Sequence, residues 1–304
     1  MSLDLSVDIA GVKFKNPIII SSCPLTRDHK TIKRVAEAGV AGVVTKTLNL
    51  VPAVNPKPAV AKVDDLILIN AEKWSDLPYE QWLEKEIKLA KSYGIRVIAS
   101  IGLSVKDAET IVPLVKDSGA DMIELVSYDA SQIIPMLKVA RPKTDLPISV
   151  KLSANWKDEV FNVAKKAEEL GADAITAIDS VGPVLEINPE TGKPYLGSPS
   201  GEGWLSGHAI RPFALRTVAG IAQRVKIPIF GVGGITRGLD VVKMVMAGAH
   251  AVQLCTIVLQ KGVKVINEII DELKDFMERK NYSSLSDFRG ITLKYIEKIG
   301  LFAH

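Results

Sequence analysis

The chain has 304 residues, 47% of them hydrophobic and 24% charged, with a formal net charge of +3. It is long enough to bury a large core without staples, and its Lys and Arg are interspersed with Asp and Glu, which argues against nucleic-acid or membrane-surface partners. Two cysteines, Cys23 and Cys255, are too few for a disulfide framework, a zinc centre or an iron–sulfur cluster, so no metal is expected.

Met1-Ser2-Leu3-Asp4 does not open a signal peptide. Nor does any apolar run reach the roughly 18–20 residues needed to cross a bilayer. The expected location is the cytoplasm. Leu5 to Lys15 alternates as a hairpin does, with Ala10-Gly11 at the turn, and is expected to cap the bottom of the fold.

Short Val-, Ile- and Ala-rich runs then alternate with longer segments of helical spacing. A strand at 17–22 precedes a helix over 30–38, with Gly39 suited to its end. The next strand, 42–47, leads into a long Pro-bearing excursion, 48–78, expected to overlie one mouth of the fold. A helix over 79–93 ends at Gly94. Strands at 96–101, 122–127, 148–153 and 174–180 are separated by helices over 106–118, 131–140 and 158–170. A long loop, 181–207, precedes the helix 210–224. Strands 229–234 and 251–256 flank a helix over 239–247, and a last helix runs over 263–280.

Eight strands alternating with helices predict an α/β fold, a (β/α)8 TIM barrel of one domain spanning residues 1–304. A repeated junction supports this. Ala38-Gly39, Ser118-Gly119, Leu170-Gly171 and Ala247-Gly248 each end a helix and enter a strand. An open doubly wound sheet would carry a Gly-rich turn after its first strand, where this chain has Ser21-Ser22-Cys23-Pro24.

In such barrels the site lies at the C-terminal ends of the strands, with phosphate often held near the seventh and eighth. Gly231-Val232-Gly233-Gly234-Ile235 and Leu254-Cys255-Thr256 end those two strands, and Ser206-Gly207-His208-Ala209-Ile210-Arg211-Pro212 leads into a nearby helix. Glycines let backbone amides approach an anion, and Thr256 adds a hydroxyl. Alternatively, Gly233-Gly234 is a tight turn, His208 packs in a loop, and Arg211 forms a helix-end ion pair. Lys46 and Lys151 sit in or at the end of apolar strands, where an unpaired ammonium is costly. They suit a bound anionic ring, a structural carboxylate partner or Schiff-base chemistry.

Asn16-Pro17, Ser21-Ser22, Thr45-Lys46-Thr47, Asn70, Val150-Lys151-Leu152, the 206–212 segment, Gly233-Gly234-Ile235 and Val252-Gln253-Leu254-Cys255-Thr256 occur in that order. Together with Ser286-Asp287-Phe288-Arg289-Gly290-Ile291, this resembles the dihydroorotate dehydrogenase superfamily, with most likeness to the flavin barrel of dihydropyrimidine dehydrogenases. The resemblance covers nearly the whole chain. It implies FMN across the barrel mouth. Ser21, Ser22, Lys46, Thr47 and Asn70 would contact the flavin, and Asn70 the substrate as well. Lys151 would stand at flavin N1, where positive charge stabilises the reduced ring. Gly207, Gly233, Gly234, Cys255 and Thr256 would hold the phosphate. It also suggests a homo-oligomer.

The substrate half departs from that pattern. Oxidising members end the fourth strand in Glu-(Leu/Ile)-Asn-x-Ser-Cys-Pro, and the Cys, or a Ser, moves a proton. This chain reads Glu124-Leu125-Val126-Ser127-Tyr128-Asp129-Ala130. Val126 replaces the substrate asparagine, and Asp129 falls at the Cys position. The family's Thr-Asn-Thr at the sixth strand becomes Ile178-Asp179-Ser180, and Thr/Ser-Pro-Asn becomes Ser153-Ala154-Asn155. Losing such hydrogen-bond partners rejects a native ligand by roughly 10⁴-fold. Asp129, or Tyr128 beside it, is the candidate acid–base group. The other reading of Asp129 is a cap for the helix beginning near Ser131. Asp179 and Ser180 are candidate substrate contacts.

The expected activity is an FMN-dependent oxidoreductase passing a hydride between flavin and a carbon–carbon bond of a small molecule. A separate acceptor or subunit would take the electrons. The alternatives are a dihydroorotate or dihydropyrimidine dehydrogenase with a remodelled pocket, an electron-transfer subunit without substrate chemistry, and a phosphate-binding aldolase or isomerase without flavin.

Overall fold

Runs of buried aliphatic residues provide the barrel staves, and the computed structural model, which describes residues 3–300, closes eight of them into a parallel barrel. Met1 and Ser2 of the N-terminal segment discussed above lie outside the described residues.

In chain order the strands are β1 (Val7–Ile9), β2 (Val12–Phe14), β3 (Ile18–Ile20), β4 (Gly42–Val44), β5 (Val60–Lys62), β6 (Leu68–Asn70) and β7 (Arg96–Ile101). They continue as β8 (Met122–Val126), β9 (Ile148–Leu152), β10 (Ala174–Ala177), β11 (Val181–Leu185), β12 (Glu202–Ser206), β13 (Ile229–Val232) and β14 (Ala251–Leu254). The barrel runs β3, β4, β7, β8, β9, β10, β13, β14 and back to β3. Ile18, Ile19 and Ile20 are fully buried, as both faces of a barrel strand are covered, by the lumen within and helices outside.

The repeated junction has a conformational cause. Gly39, Gly119, Gly171 and Gly248 adopt φ of +97°, +84°, +89° and +116°, the left-handed region that stops a helix and turns the chain into the next strand.

β1 and β2 form the expected antiparallel hairpin, with Ala10 and Gly11 at its turn. Phe14 meets Phe230 edge-on at 6.2 Å, so the hairpin closes the N-terminal end of the barrel.

The two long segments over the other end are more ordered than their composition suggests. β11, β12, β6 and β5 form a four-stranded antiparallel sheet, pairing Trp204 with Asn70 and Asn70 with Val60. The excursion 48–78 and the loop 181–207 are therefore one lid built from both. The strands are short and their partners distant in sequence, so no local period announces them. A short helix, Thr256–Lys261, also follows β14 where none was expected. Among the described residues, no helix is long and apolar enough to cross a membrane.

Candidate active site

The C-terminal ends of the barrel strands and the overlying sheet enclose a cavity of about 1160 Å³, its open mouth included. Ser21, Ser22, Lys46, Thr47, Asn70, Lys151, Gly207, Gly233, Gly234, Cys255 and Thr256 all line it, as do Tyr128, Asp179 and Ser180. These residues come from seven strand ends and the lid, and only barrel closure gathers them.

Strand register places the floor. Lys151, the fourth residue of β9, pairs with Thr176 of β10 and Val126 of β8. Its Nζ lies 3.5 Å from Asp179 Oδ1. Burial pulls the Lys151 pKa down, but the charge of Asp179, joined by that of Glu124 whenever that carboxyl is ionised, outweighs it and leaves the pKa raised. Lys46, just past β4, pairs with Glu72 Oε2 at 2.8 Å. Both lysines thus have the carboxylate partners that burial demands. Schiff-base chemistry needs an ammonium that loses its proton readily, and Lys151 is tuned the other way.

A hydroxyl relay joins the strand ends at one side. Thr47 Oγ1 lies 3.3 Å from Ser22 Oγ and 3.0 Å from Ser100 Oγ. The lid is tied down on the other side, where Thr256 Oγ1 donates to Ser206 Oγ at 3.0 Å; within the lid, Asn70 Nδ2 donates to the Trp204 carbonyl at 3.3 Å.

At the ends of β13 and β12 the backbone is shaped for close approach. Gly234 has φ of +74°, and a Cβ there would stand 2.6 Å from Arg211 N, at the start of the helix Arg211–Ala222. Gly207, at φ +94°, would bring a Cβ to 2.8 Å from the Leu66 carbonyl oxygen. Only glycine fits either place: Gly234 lets the loop pack against the helix start at Arg211, and Gly207 lets the chain pass close to the Leu66 carbonyl. Arg211 does not line the cavity. It donates to Asp240 Oδ1 at 2.7 Å and to His208 Nδ1 at 3.2 Å, the ion-pair reading that the sequence allowed. His208 likewise lies outside the lining.

Asp129 departs from the acid–base expectation. It is exposed and outside the cavity lining, and its Oδ1 accepts from Ser131 N at 2.8 Å at the start of the helix Ala130–Ala140. It caps that helix. Hydrogen bonds from Ser131 hold its carboxyl below the usual range. The turn instead presents Tyr128, whose ring stacks on Trp204 at 4.7 Å with 16° between planes. Crowding by protein around the hydroxyl, then the nearby charges of Asp179 and Glu72, push the Tyr128 pKa up, so the phenol keeps its proton.

Several residues in or beside the cavity escaped the sequence reading. Glu72 stands two residues past Asn70 on the same strand direction, a weak signal that was available. Trp204, which stacks on Tyr128 from outside the lining, carries no motif either. Cys255, an expected site residue, meets Cys23 of the same lining at the ends of β14 and β3. The thiol of Cys23, together with burial, raises the Cys255 pKa.

A sequence profile described as dihydroorotate dehydrogenase matches residues 4–277. The chain belongs to the dihydroorotate dehydrogenase family. It is 32% identical over 305 residues to the dihydroorotate dehydrogenase B (NAD(+)) catalytic subunit of Methanothermobacter thermautotrophicus, covering 94% of this chain and 98% of that one. The Thermoplasma acidophilum protein of the same name is 32% identical over 308 residues, with 96% and 99% covered. The chloroplastic dihydropyrimidine dehydrogenase (NADP(+)) of Arabidopsis thaliana is 29% identical over 331 residues, with 96% of this chain and 78% of that one covered. The family's barrel is thus the barrel seen here, and the departures at Val126 and Asp179 lie inside its cavity.

Proposed function

We propose that this chain is an FMN-dependent oxidoreductase that passes a hydride between the flavin and a carbon–carbon bond of a small, non-pyrimidine substrate. The observation that carries this reading is a single cavity holding two buried, ion-paired lysines at one end and glycine-only loops at the other.

The residues fit the cofactor. Gly207, Gly233, Gly234, Cys255 and Thr256 would hold the phosphate. Ser21, Ser22, Lys46, Thr47, Asn70 and Lys151 would hold the ring. When bound, FMN supplies the two-electron chemistry. Lys151 keeps its proton and offers positive charge to the ring edge. Tyr128 keeps its phenolic proton in the cavity lining and would donate it to the substrate. Asn70, Asp179 and Ser180 orient the substrate, and the lid excludes water.

Val126 and the Asp179 carboxylate cannot replace the amide partners of a pyrimidine. The relatives named as catalytic subunits support a separate electron-accepting protein for this chain too, and we propose the cytoplasm as the place where both work.

The absorbance spectrum of the purified protein, with FMN titration, tests the cofactor: no flavin bands and no binding would sink the proposal. Anaerobic photoreduction followed by acceptors tests the substrate. Orotate and uracil are expected to leave the flavin reduced, and rapid reoxidation by either would overturn the non-pyrimidine assignment.

A further inference from the structure

Glu124 and Gln253 reach each other from β8 and β14, which are not neighbours in the closed sheet, so their contact crosses the barrel lumen. Glu124 is fully buried and Gln253 nearly so. Gln253 Nε2 donates to Glu124 Oε2 at 3.2 Å, and the Thr176 hydroxyl donates to the same oxygen at 2.9 Å. Glu124 Oε1 and Gln253 Oε1 are both buried without a partner.

Of the three such atoms among the described residues, only Gln260 Nε2 stands apart from this contact. Each of the other two is the second terminal atom of a group already engaged in the Nε2 to Oε2 bond. An ionised carboxylate offers only acceptors, so it leaves the amide oxygen with nothing to accept from it. One proton on Glu124 Oε1, donated to Gln253 Oε1, would satisfy both orphans at once. The amide N–H then donates to Oε2 and the carboxyl O–H donates to the amide Oε1, a ring of two hydrogen bonds. Buried polar groups are almost always satisfied, which favours this state over two vacant acceptors.

We infer that Glu124 is held as a neutral carboxylic acid in a cyclic pair with Gln253, and that this pair positions Lys151 by leaving Asp179 as its charged partner. Thr176 on β10, Lys151 on β9, Gln253 on β14 and Asp179 beyond β10 are the groups that act on the Glu124 carboxyl. Burial raises its pKa, and the opposing pull of Lys151, Gln253 and Thr176 does not reverse that direction. Were Glu124 ionised, two carboxylates would flank one ammonium and the floor of the cavity would be negative. With Glu124 neutral, Lys151 and Asp179 balance. A bound electron-rich ring would then meet no excess negative charge beside Lys151. This functional part rests on the flavin reading, while the protonation state does not.

Infrared spectroscopy of the cofactor-free protein at neutral pH tests the acid directly. A protonated-carboxyl C=O stretch is expected in the wild type and absent in Glu124→Gln. Gln253→Leu is expected to move the band to higher frequency, because the acid loses its acceptor. If Glu124→Gln does not fold, Glu124→Asp and Gln253→Leu make the assignment. Absence of the band from the wild type overturns the inference. A band with no FMN binding overturns the flavin reading and leaves the acid standing. In the flavin-loaded protein, Glu124→Gln should change the FMN Kd by less than about twofold, since one neutral group replaces another. Tightening of about tenfold or more would reveal a removed negative charge and overturn the positioning role.

Discussion

Lys151 Nζ and Asp179 Oδ1 stand 3.5 Å apart where the neighbouring strands β9 and β10 end, with side-chain exposures of 6% and 19%. Breaking so enclosed a pair leaves a charge without its partner. Asp179→Asn is expected to cost about 3 kcal/mol of stability near neutrality, measured by urea unfolding. The pH dependence follows from the raised pKa of Lys151. A raised folded value stabilises below the unfolded one, near 10.5, and that contribution is lost as pH rises through the folded value. The difference between wild type and variant should therefore persist across neutral pH and narrow only above 10.5. A difference that vanished at neutral pH would show that the pair does not form.

Asp240 anchors the loop that follows β13. Its Oδ2 accepts from Thr236 Oγ1 at 2.9 Å and Thr236 N at 3.1 Å, and its Oδ1 accepts from Arg211 at 2.7 Å and Lys243 at 3.2 Å. Burial opposes its ionisation, but the Thr236 bonds, then Arg211 and Lys243, hold the carboxyl below 3.8. A lowered folded pKa stabilises above the unfolded value and is lost as pH falls through the folded one. Asp240→Asn should cost about 3 kcal/mol at neutral pH. That penalty should shrink in unfolding experiments below pH 3.8.

Gly234→Ala tests the glycine loop. At φ +74°, with Arg211 N at 2.6 Å from the new Cβ, the loop must move away from the helix start. FMN titration should show binding weakened by about tenfold, equivalent to about 1.4 kcal/mol. Affinity equal to wild type would place the phosphate elsewhere.

The parts of this fold that announce themselves in sequence are those with a local cause. The buried aliphatic runs, the helix-ending Gly39, Gly119, Gly171 and Gly248, and the Ala10-Gly11 turn each act over a few residues. The lid could not be read that way. β6 finds β12 across a separation of 134 residues, from Asn70 to Trp204. The Lys46–Glu72 and Lys151–Asp179 pairs were legible as lysines in need of partners, without the partners' names. Glu124 and Gln253 stood inside quoted motifs, yet their contact exists only because the barrel closes.

The turn after β8 separates two adjacent candidates for proton transfer. Asp129 spends its carboxylate on Ser131 N and faces solvent, whereas Tyr128, 43% exposed as a residue, lines the cavity with a phenol that the protein packed around it and the nearby carboxylates keep protonated. Tyr128→Phe keeps the ring against Trp204 and removes only the hydroxyl, so the fold should be unchanged. With an identified substrate, kcat should fall by about 100-fold or more, the usual loss when a positioned acid is removed. Asp129→Asn should leave kcat near wild type, because the cap lies outside the cavity. The reverse pattern, with Tyr128→Phe active and Asp129→Asn inactive, would mean that the turn rearranges to bring the carboxylate inward when substrate binds. A raised tyrosine pKa makes the phenol a donor through neutral pH and unable to act as a base there. The rate of the protonating step should thus stay flat through neutrality, without the acid-limb inflection that the lowered Asp129 carboxyl would impose in the same role.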